Sequence, residues 1–123
     1  MKSEFENRDI SGLMNDVLKS IALLNKAIES HFGMSSARTL TLLAFTEKRI
    51  MRMNELSEAM SLKTSTSTRM IDSLVEDGFV ERGNDEFDRR LVTVGLTIKG
   101  KKVAKDIKAF RDRYFDSIKD KVK

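Results

Sequence analysis

Residues 55–100 read ELSEAMSLKTSTSTRMIDSLVEDGFVERGNDEFDRRLVTVGLTIKG, and this stretch decides the fold. The spacing of its first apolar residues predicts a short helix over residues 55–60 and a second helix over residues 64–77, joined by a tight turn. Gly78 stands where the second helix should end, because glycine adopts the left-handed conformation of many helix C-termini without strain. Two helices joined in this way form either a helix-turn-helix unit or an ordinary αα-hairpin.

The residues after Gly78 favour the first alternative. The sequence predicts strands at 79–82 and 91–94, and a polar turn over residues 83–88 joins them into a β-hairpin. Thr97 can then cap a long final helix. Helix, turn, helix, hairpin and helix follow one another in the order of a winged helix. We therefore expect a mostly α fold with a small β-hairpin wing.

Two long amphipathic helices are predicted at the ends of the chain. In each, apolar residues recur at intervals of three and four, which places them in one stripe along the helix. The N-terminal stripe comprises Ile10, Met14, Val17, Ile21, Leu24 and Ile28. The C-terminal stripe comprises Val103, Ile107, Phe110, Tyr114 and Ile118.

A further helix is predicted between the N-terminal stripe and the helix-turn-helix unit. Gly33 stands where the first helix should stop, and Ser35 or Ser36 can cap the next one. Residues 48–52 are expected to form a short link. The residues of the three inner helices that we expect to face the core are Leu40, Leu43, Ala44, Leu56, Ala59, Met60, Met70, Ile71 and Leu74.

Composition excludes several classes of function. The chain has 123 residues, which suits one domain over residues 1–123, and it has no cysteine for disulfide or thiolate chemistry. Its single histidine, His31, leaves a metal site without a second imidazole and would have to carry any Ser-His-Asp catalysis alone. No apolar run approaches the ~20 residues of a membrane span, and the first nine residues lack a signal-peptide core. We expect a cytoplasmic protein that is not an enzyme, has no metal or cofactor and binds no membrane.

Positive charge is concentrated at the end of the chain. The net charge is +4, and residues 99–123 hold ten Lys and Arg against four Asp. Such a stretch can bind polyanions, but on a helix it is more often a solvated face. Charge alone therefore identifies no partner.

Two short motifs carry a resemblance to a known family. Residues 80–90, Val-Glu-Arg-Gly-Asn-Asp-Glu-Phe-Asp-Arg-Arg, resemble the wing of the MarR (multiple antibiotic resistance regulator) transcription factors. Residues 96–100, Leu-Thr-Ile-Lys-Gly, resemble the Leu-Thr-x-x-Gly start of the family's next helix. The two motifs are specific together, and the resemblance extends over residues 9–115. It implies a winged helix over residues 35–96.

The sequence also departs from the family pattern. Ser67 occupies a position that the family more often fills with Val, Glu86 replaces a common Pro, and Gly95 interrupts the predicted second strand. Members of the family usually carry a further C-terminal helix that helps complete the dimer, and the sequence stops at Lys123 before such a helix.

The resemblance implies that the helix over residues 64–77 reads duplex DNA in the major groove. Its start has no acidic residue, and hydroxyl, ammonium and guanidinium groups suit phosphates and base edges. Ser and Thr also favour helix starts in proteins that bind no DNA. The DNA-binding interpretation therefore depends on the predicted β-hairpin that follows this helix. The residues assigned to this contact are Lys63, Thr64, Ser65, Thr66, Thr68 and Arg69.

The resemblance likewise assigns the wing contact to Asp88, Arg89 and Arg90. In the family one wing arginine enters the minor groove while another is held in a salt bridge by a carboxylate. The sequence does not distinguish which arginine does which. For each residue alone, an ordinary surface ion pair remains the alternative.

The resemblance assigns dimerisation to the helices over residues 9–32 and 97–123, which pair with their counterparts around a two-fold axis. The alternative is that both stripes close the core of a monomer. Many relatives also release DNA when a small aromatic or anionic effector binds near the junction of these helices with the winged helix. Candidate effector-binding residues are Met14, Leu18, His31, Phe45 and Met53, although apolar residues at this junction would also form the core.

The expected function is a homodimeric, sequence-specific regulator of transcription, with repression as the family habit. Two alternatives stay open. A winged helix can bind another protein instead of DNA, and the basic end of the chain could coat DNA without sequence preference.

Overall fold

The computed structural model describes residues 2–45 and 50–119, with side chains over 9–45 and 50–117. Five helices and three strands follow one another in this part of the chain. In chain order they are α1 (Lys2–Phe32), α2 (Ser36–Ala44), β1 (Ile50–Arg52), α3 (Met53–Ala59), α4 (Thr64–Glu76), β2 (Val80–Asn84), β3 (Val92–Leu96) and α5 (Ile98–Lys119). The predicted mostly helical fold with a winged-helix order is confirmed, and α1 begins several residues earlier than expected.

The helix ends follow the local signals of the sequence. The Ser35 side chain accepts a hydrogen bond from the Arg38 N–H at the start of α2, and the Thr97 hydroxyl accepts one from the Gly100 N–H at the start of α5. Gly33 and Gly78 both have positive φ, as expected for helix C-termini. These contacts span three or four residues, which is why sequence patterns predict them.

The sheet contains one strand more than the predicted hairpin. Residues 50–52 were expected to belong to a link; instead they form β1, and the sheet order is β1-β3-β2 with both pairs antiparallel. Residues 48 and 49 of that predicted link lie outside the described residues. Pairing with β3, about 40 residues away, creates the strand, and no local pattern reports such a partner.

Gly95 does not interrupt the second strand of the hairpin. It lies within β3 and is paired with Ile50 on one side and Glu81 on the other. Because β3 is the central strand, its ladder is supported from both edges, and this outweighs the weak strand propensity of one glycine.

The core lies where α2, α4 and α5 meet the sheet and the C-terminal half of α1. Leu40 and Ala59, which were expected to face this core, are exposed, whereas Leu42 is fully buried. Thr39 and Thr41 are also buried, and each hydroxyl donates to a carbonyl of its own helix. Threonines satisfied in this way pack like small apolar residues, so a count of apolar residues alone misplaced the inner face of α2. The buried apolar side chains are Leu24, Ile28, Leu42, Phe45, Met51, Leu56, Ile71, Leu74, Val80, Val94, Ala104 and Ile107.

The N-terminal stripe divides into a buried part and an exposed part. Leu24 and Ile28 pack into the core, but the preceding apolar side chains are exposed in the single chain. These exposed residues, here called the α1 apolar face, are Ile10, Leu13, Met14, Val17, Leu18 and Ile21. The alternative that this stripe closes a monomer core is therefore wrong for its first half. Within the described ranges, no helix is long and apolar enough to cross a membrane.

The start of α5 is packed tightly against the chain that enters β2. A Cβ atom added to Gly100 would overlap the carbonyl oxygen of Phe79 and lie 2.9 Å from its carbonyl carbon. Thr97 supports this close approach, since its N–H donates to Phe79 O at 3.0 Å and its hydroxyl to Gly78 O at 2.6 Å. This close approach explains why the last residue of the Leu-Thr-x-x-Gly motif is glycine in this chain: any side chain at position 100 would overlap the backbone at Phe79.

Candidate nucleic-acid interface

The first turns of α4 present polar and cationic side chains to solvent. Lys63, at the N-cap position, and Thr64, Ser65, Thr66, Thr68 and Arg69 are all exposed. No side chain caps this helix, and its first turn contains no acidic residue. The free N–H groups of an uncapped helix start, together with the helix dipole, favour an anion such as phosphate.

Acidic residues lie toward the other end of α4, and two of them, Asp72 and the C-cap residue Asp77, are paired. Asp72 forms an ion pair with Arg82 of β2, and Asp77 forms one with Arg38 of α2. This arrangement removes negative charge from the exposed start of the helix. It also links the end of α4 to two neighbouring elements.

Ser67 is the one residue between Lys63 and Arg69 that is buried. Its side chain is 3% exposed, and its hydroxyl oxygen makes no hydrogen bond in the described structure. The surroundings are the largely apolar contact of α4 with α2 and α3. A buried hydroxyl without a partner costs free energy, which gives a physical reason for the valine that the family more often has here.

The wing tip, residues 85–91, is closed by hydrogen bonds. The Asp85 N–H donates to Leu91 O at 2.9 Å, and the Leu91 N–H donates to Asp88 O at 3.0 Å. One carboxylate oxygen of Asp85 accepts the N–H groups of both Phe87 and Asp88 at 3.0 Å. The backbone of the tip is therefore ordered by its own residues.

Asp88 holds Arg90 in a two-point ion pair. The Arg90 Nε and Nη2 atoms donate to the two carboxylate oxygens of Asp88 at 3.0 and 3.1 Å. These hydrogen bonds lower the pKa of Asp88 and raise the pKa of Arg90. Even so, the Arg90 side chain is 90% exposed. Arg89 is also exposed, and its side chain forms no ion pair with the described residues. The structure thus places the salt bridge on Arg90, a choice that the sequence left open.

A second wing ion pair was not predicted. The Arg52 Nε donates to Asp85 at 3.0 Å, and this hydrogen bond is the main cause of the lowered pKa of Asp85. Arg52 ends β1 and occupies the N-cap position of α3, so the pair fastens the wing tip to the base of the helix-turn-helix unit. The two residues are 33 positions apart, and no local signal in the sequence connects them.

Helix α4 and the wing share one cavity. It has a volume of about 380 Å³ and brings together Thr64 and Thr68 of α4 with Arg90 of the wing. The other residues lining it are Met53, Asn54, Arg82, Leu91 and Val92. The two predicted DNA contacts therefore belong to one continuous surface.

The five candidate effector residues do not meet in one cavity of the chain. Met14 and Leu18 are exposed on α1, Phe45 is buried in the core, and Met53 lines the cavity beside α4. His31 lines a different cavity with Phe110, Arg113 and Tyr114, and its ring stacks on Phe110 at 4.8 Å. The five residues thus form no shared cavity within one chain, because α1 packs against the core only from Leu24 onward. An effector site between the end helices and the winged helix stays a prediction.

Comparisons with known proteins agree with this architecture. A model of the MarR family matches residues 32–92. The uncharacterized HTH-type transcriptional regulator YfiV of Bacillus subtilis is 32% identical over 98 residues, which cover 80% of this chain and 61% of YfiV. The HTH-type transcriptional repressor MdtR of the same organism is 27% identical, over 83% of this chain and 73% of MdtR. The chain thus spans about three fifths of the length of YfiV.

Solved structures give the same result. The reduced form of MarR from E. coli superposes with a TM-score of 0.77 and 25% identity, over 92% of this chain and 84% of that one. A mutant MarR from E. coli in complex with operator DNA superposes with a TM-score of 0.69 and 28% identity, over 85% of this chain and 75% of that one. Sequence motifs, fold and relatives agree, and the chain belongs to the MarR family.

Proposed function

We propose that this chain is a transcriptional regulator that binds specific sites in double-stranded DNA as a homodimer. The observation that carries the proposal is the shared surface on which the acid-free start of α4 and the Asp88-held Arg90 lie together. A related MarR protein of the same fold was solved with operator DNA, which supports the same role for this surface.

Within this proposal α4 enters the major groove. Arg69 is the residue of the exposed start that can pair with a guanine through two hydrogen bonds, and the hydroxyls of Thr64, Ser65 and Thr66 reach base edges or phosphates. Thr68 already donates its hydroxyl proton to Thr64 O at 2.8 Å, so it offers an acceptor rather than a donor. Lys63 and the free N–H groups of the first turn bind phosphate.

The wing then contacts the minor groove through Arg90. A guanidinium held by two hydrogen bonds loses less conformational entropy on binding than a free one, and Arg90 keeps its outer N–H groups accessible. Arg89, which has no carboxylate partner among the described residues, is assigned to the phosphates beside the groove.

The α1 apolar face supports a homodimer. Six neighbouring apolar side chains on one face of a helix form a contiguous patch, and such patches usually mark a protein interface. Phe115 of α5 is partly exposed as well and extends apolar surface to the other end helix. A two-fold dimer would place two copies of α4 about one DNA turn, ~34–36 Å, apart.

The proposal extends to two further properties: the protein represses transcription, and a small effector releases it from DNA. MdtR, a relative of this chain, is named a repressor. For an effector, the aromatic rings and Arg113 around His31 suit a planar anion better than the buried Phe45 or the solvated Met14 and Leu18 do.

The test is selection of bound duplexes from a random pool by the purified protein at physiological salt. We expect an imperfect palindrome with one-turn spacing between half-sites. Arg69→Ala should weaken binding by ~1–3 kcal/mol for each half-site and relax the preference at one base pair of each. Lys26→Ala is the matched control, because Lys26 is an exposed cation on α1 away from α4.

Two results would contradict the proposal. Recovery of no motif, with binding that disappears as salt rises, would favour non-specific coating of DNA. A stable, folded protein that binds no duplex at all would favour a protein-interaction module.

A further inference from the structure

The wing tip carries an apolar side chain that the proposed contacts do not use. Phe87 is 91% exposed, more than any other large apolar side chain in the described part of the chain. Its ring stacks on no other ring among the described residues. An aromatic ring in this position contributes nothing to the core, and its faces are available to a partner that the hairpin contacts.

The backbone beneath Phe87 is held in place. The Phe87 N–H donates to Asp85 Oδ2 at 3.0 Å, and Asp85 is itself fastened to Arg52. The side-chain amide of Asn84 donates to Arg89 O at 2.9 Å and closes the other side of the tip. The ring is therefore presented on an ordered turn, and binding would cost little backbone entropy.

The charges around the ring are mixed: Glu86 beside it is exposed and acidic, while the other two carboxylates of the tip are paired with arginines. Arg89 and Arg90 follow within three residues, and the carboxylates of Asp85 and Asp88 are each neutralised by an arginine. A protruding apolar wedge beside minor-groove arginines is a combination with which proteins unstack and bend a duplex.

We propose that Phe87 is a further DNA-contacting residue, whose ring enters the minor groove beside Arg90 and wedges against a base-pair step. This inference rests on the proposed DNA-binding function. The wedge should favour sites with a pyrimidine–purine step beneath the wing, because such steps unstack most easily. Phe87 would then add sequence preference without a hydrogen bond to any base.

The experiment compares Phe87→Ala and Phe87→Leu with the original protein on the tightest duplex recovered from the random pool. We expect Phe87→Ala to bind about tenfold more weakly, and Phe87→Leu to retain most of the affinity. The dependence of binding on salt should not change, since an apolar contact neutralises no phosphate. The fluorescence rise of 2-aminopurine placed at the step under the wing should disappear with Phe87→Ala.

Ile98→Ala is the matched control. Ile98 is 87% exposed but lies at the start of α5, at the base of the hairpin rather than its tip. The Ile98→Ala variant should bind DNA with the same affinity as the original protein. Thermal midpoints of all three variants should stay unchanged, because neither side chain is buried.

The outcomes separate the inference from the function on which it rests. If Phe87→Ala binds normally and 2-aminopurine stays silent while Arg69→Ala weakens binding, the wedge is wrong and the DNA-binding function stands. If Phe87→Ala instead changes the oligomeric state, the ring contacts protein, and the inference is again wrong. If the original protein selects no duplex, the function itself fails.

Discussion

Replacement of Gly100 by alanine should destabilise the protein, although the same replacement stabilises most helices. In a helix interior, alanine is favoured over glycine by about 1 kcal/mol because it restricts the unfolded chain. At Gly100 the added methyl would lie 2.9 Å from the carbonyl carbon of Phe79 and overlap its oxygen. Carbon atoms pack at about 3.5–4.0 Å, so α5 and the start of β2 would have to separate by roughly 1 Å.

The expected magnitude combines two costs with one gain. Overpacking of this kind costs about 1–3 kcal/mol. The separation also weakens the two hydrogen bonds from Thr97 to Gly78 O and Phe79 O, each contributing about 0.5–1.5 kcal/mol. After subtraction of the helix gain, Gly100→Ala should lower the free energy of unfolding by about 1–5 kcal/mol.

Gly12→Ala provides the matched control. Gly12 lies in α1, and a Cβ atom there would meet nothing within 4 Å. This variant should gain about 0.5–1 kcal/mol. Thermal unfolding at equal protein concentration measures both variants, with a fall of about 10 °C expected for Gly100→Ala and a small rise for Gly12→Ala.

The packing therefore predicts that the same replacement lowers the free energy of unfolding at Gly100 and raises it at Gly12. If Gly100→Ala unfolds at or above the temperature of the original protein, the close contact of α5 with Phe79 does not limit that position. The steric reason given for the glycine of the Leu-Thr-x-x-Gly motif would then be wrong.

Three further predictions follow from single contacts. Ser67→Val should raise the free energy of unfolding by about 1 kcal/mol in urea titrations without weakening DNA binding, because it replaces a buried, unpaired hydroxyl by methyl groups. If the proposed dimer forms through the α1 apolar face, Val17→Asp should yield monomers in sedimentation experiments, whereas Leu23→Asp should not. Val17 lies in this face, and Leu23, about equally exposed, lies about 120° around the helix from it. The Arg52 hydrogen bond lowers the pKa of Asp85, so this ion pair stabilises the wing at neutral pH and is lost only as the pH falls below the usual range of an aspartate carboxyl. Asp85→Asn should therefore reduce the acid dependence of hydrogen exchange at the wing tip, and an unchanged dependence would exclude this ion pair as its source.

Much of the fold was readable because its determinants are local. The helix ends at Ser35 and Thr97 depend on hydrogen bonds to residues three positions away, and the glycines at 33 and 78 adopt positive φ within their own turns. The acid-free start of α4 and the polar turn between the two strands of the hairpin are likewise properties of short segments. Such patterns determine where elements begin and end, because the interacting groups are neighbours along the chain.

Tertiary structure decided what depends on distant partners. Strand β1 exists only because β3 pairs with it, and Arg52 meets Asp85 only when the wing folds back over the start of α3. The N-terminal stripe has one uniform periodicity, yet the fold buries Leu24 and leaves Val17 exposed. Periodicity reports that a helix face is apolar but not what covers it, since burial depends on which elements the rest of the chain brings alongside.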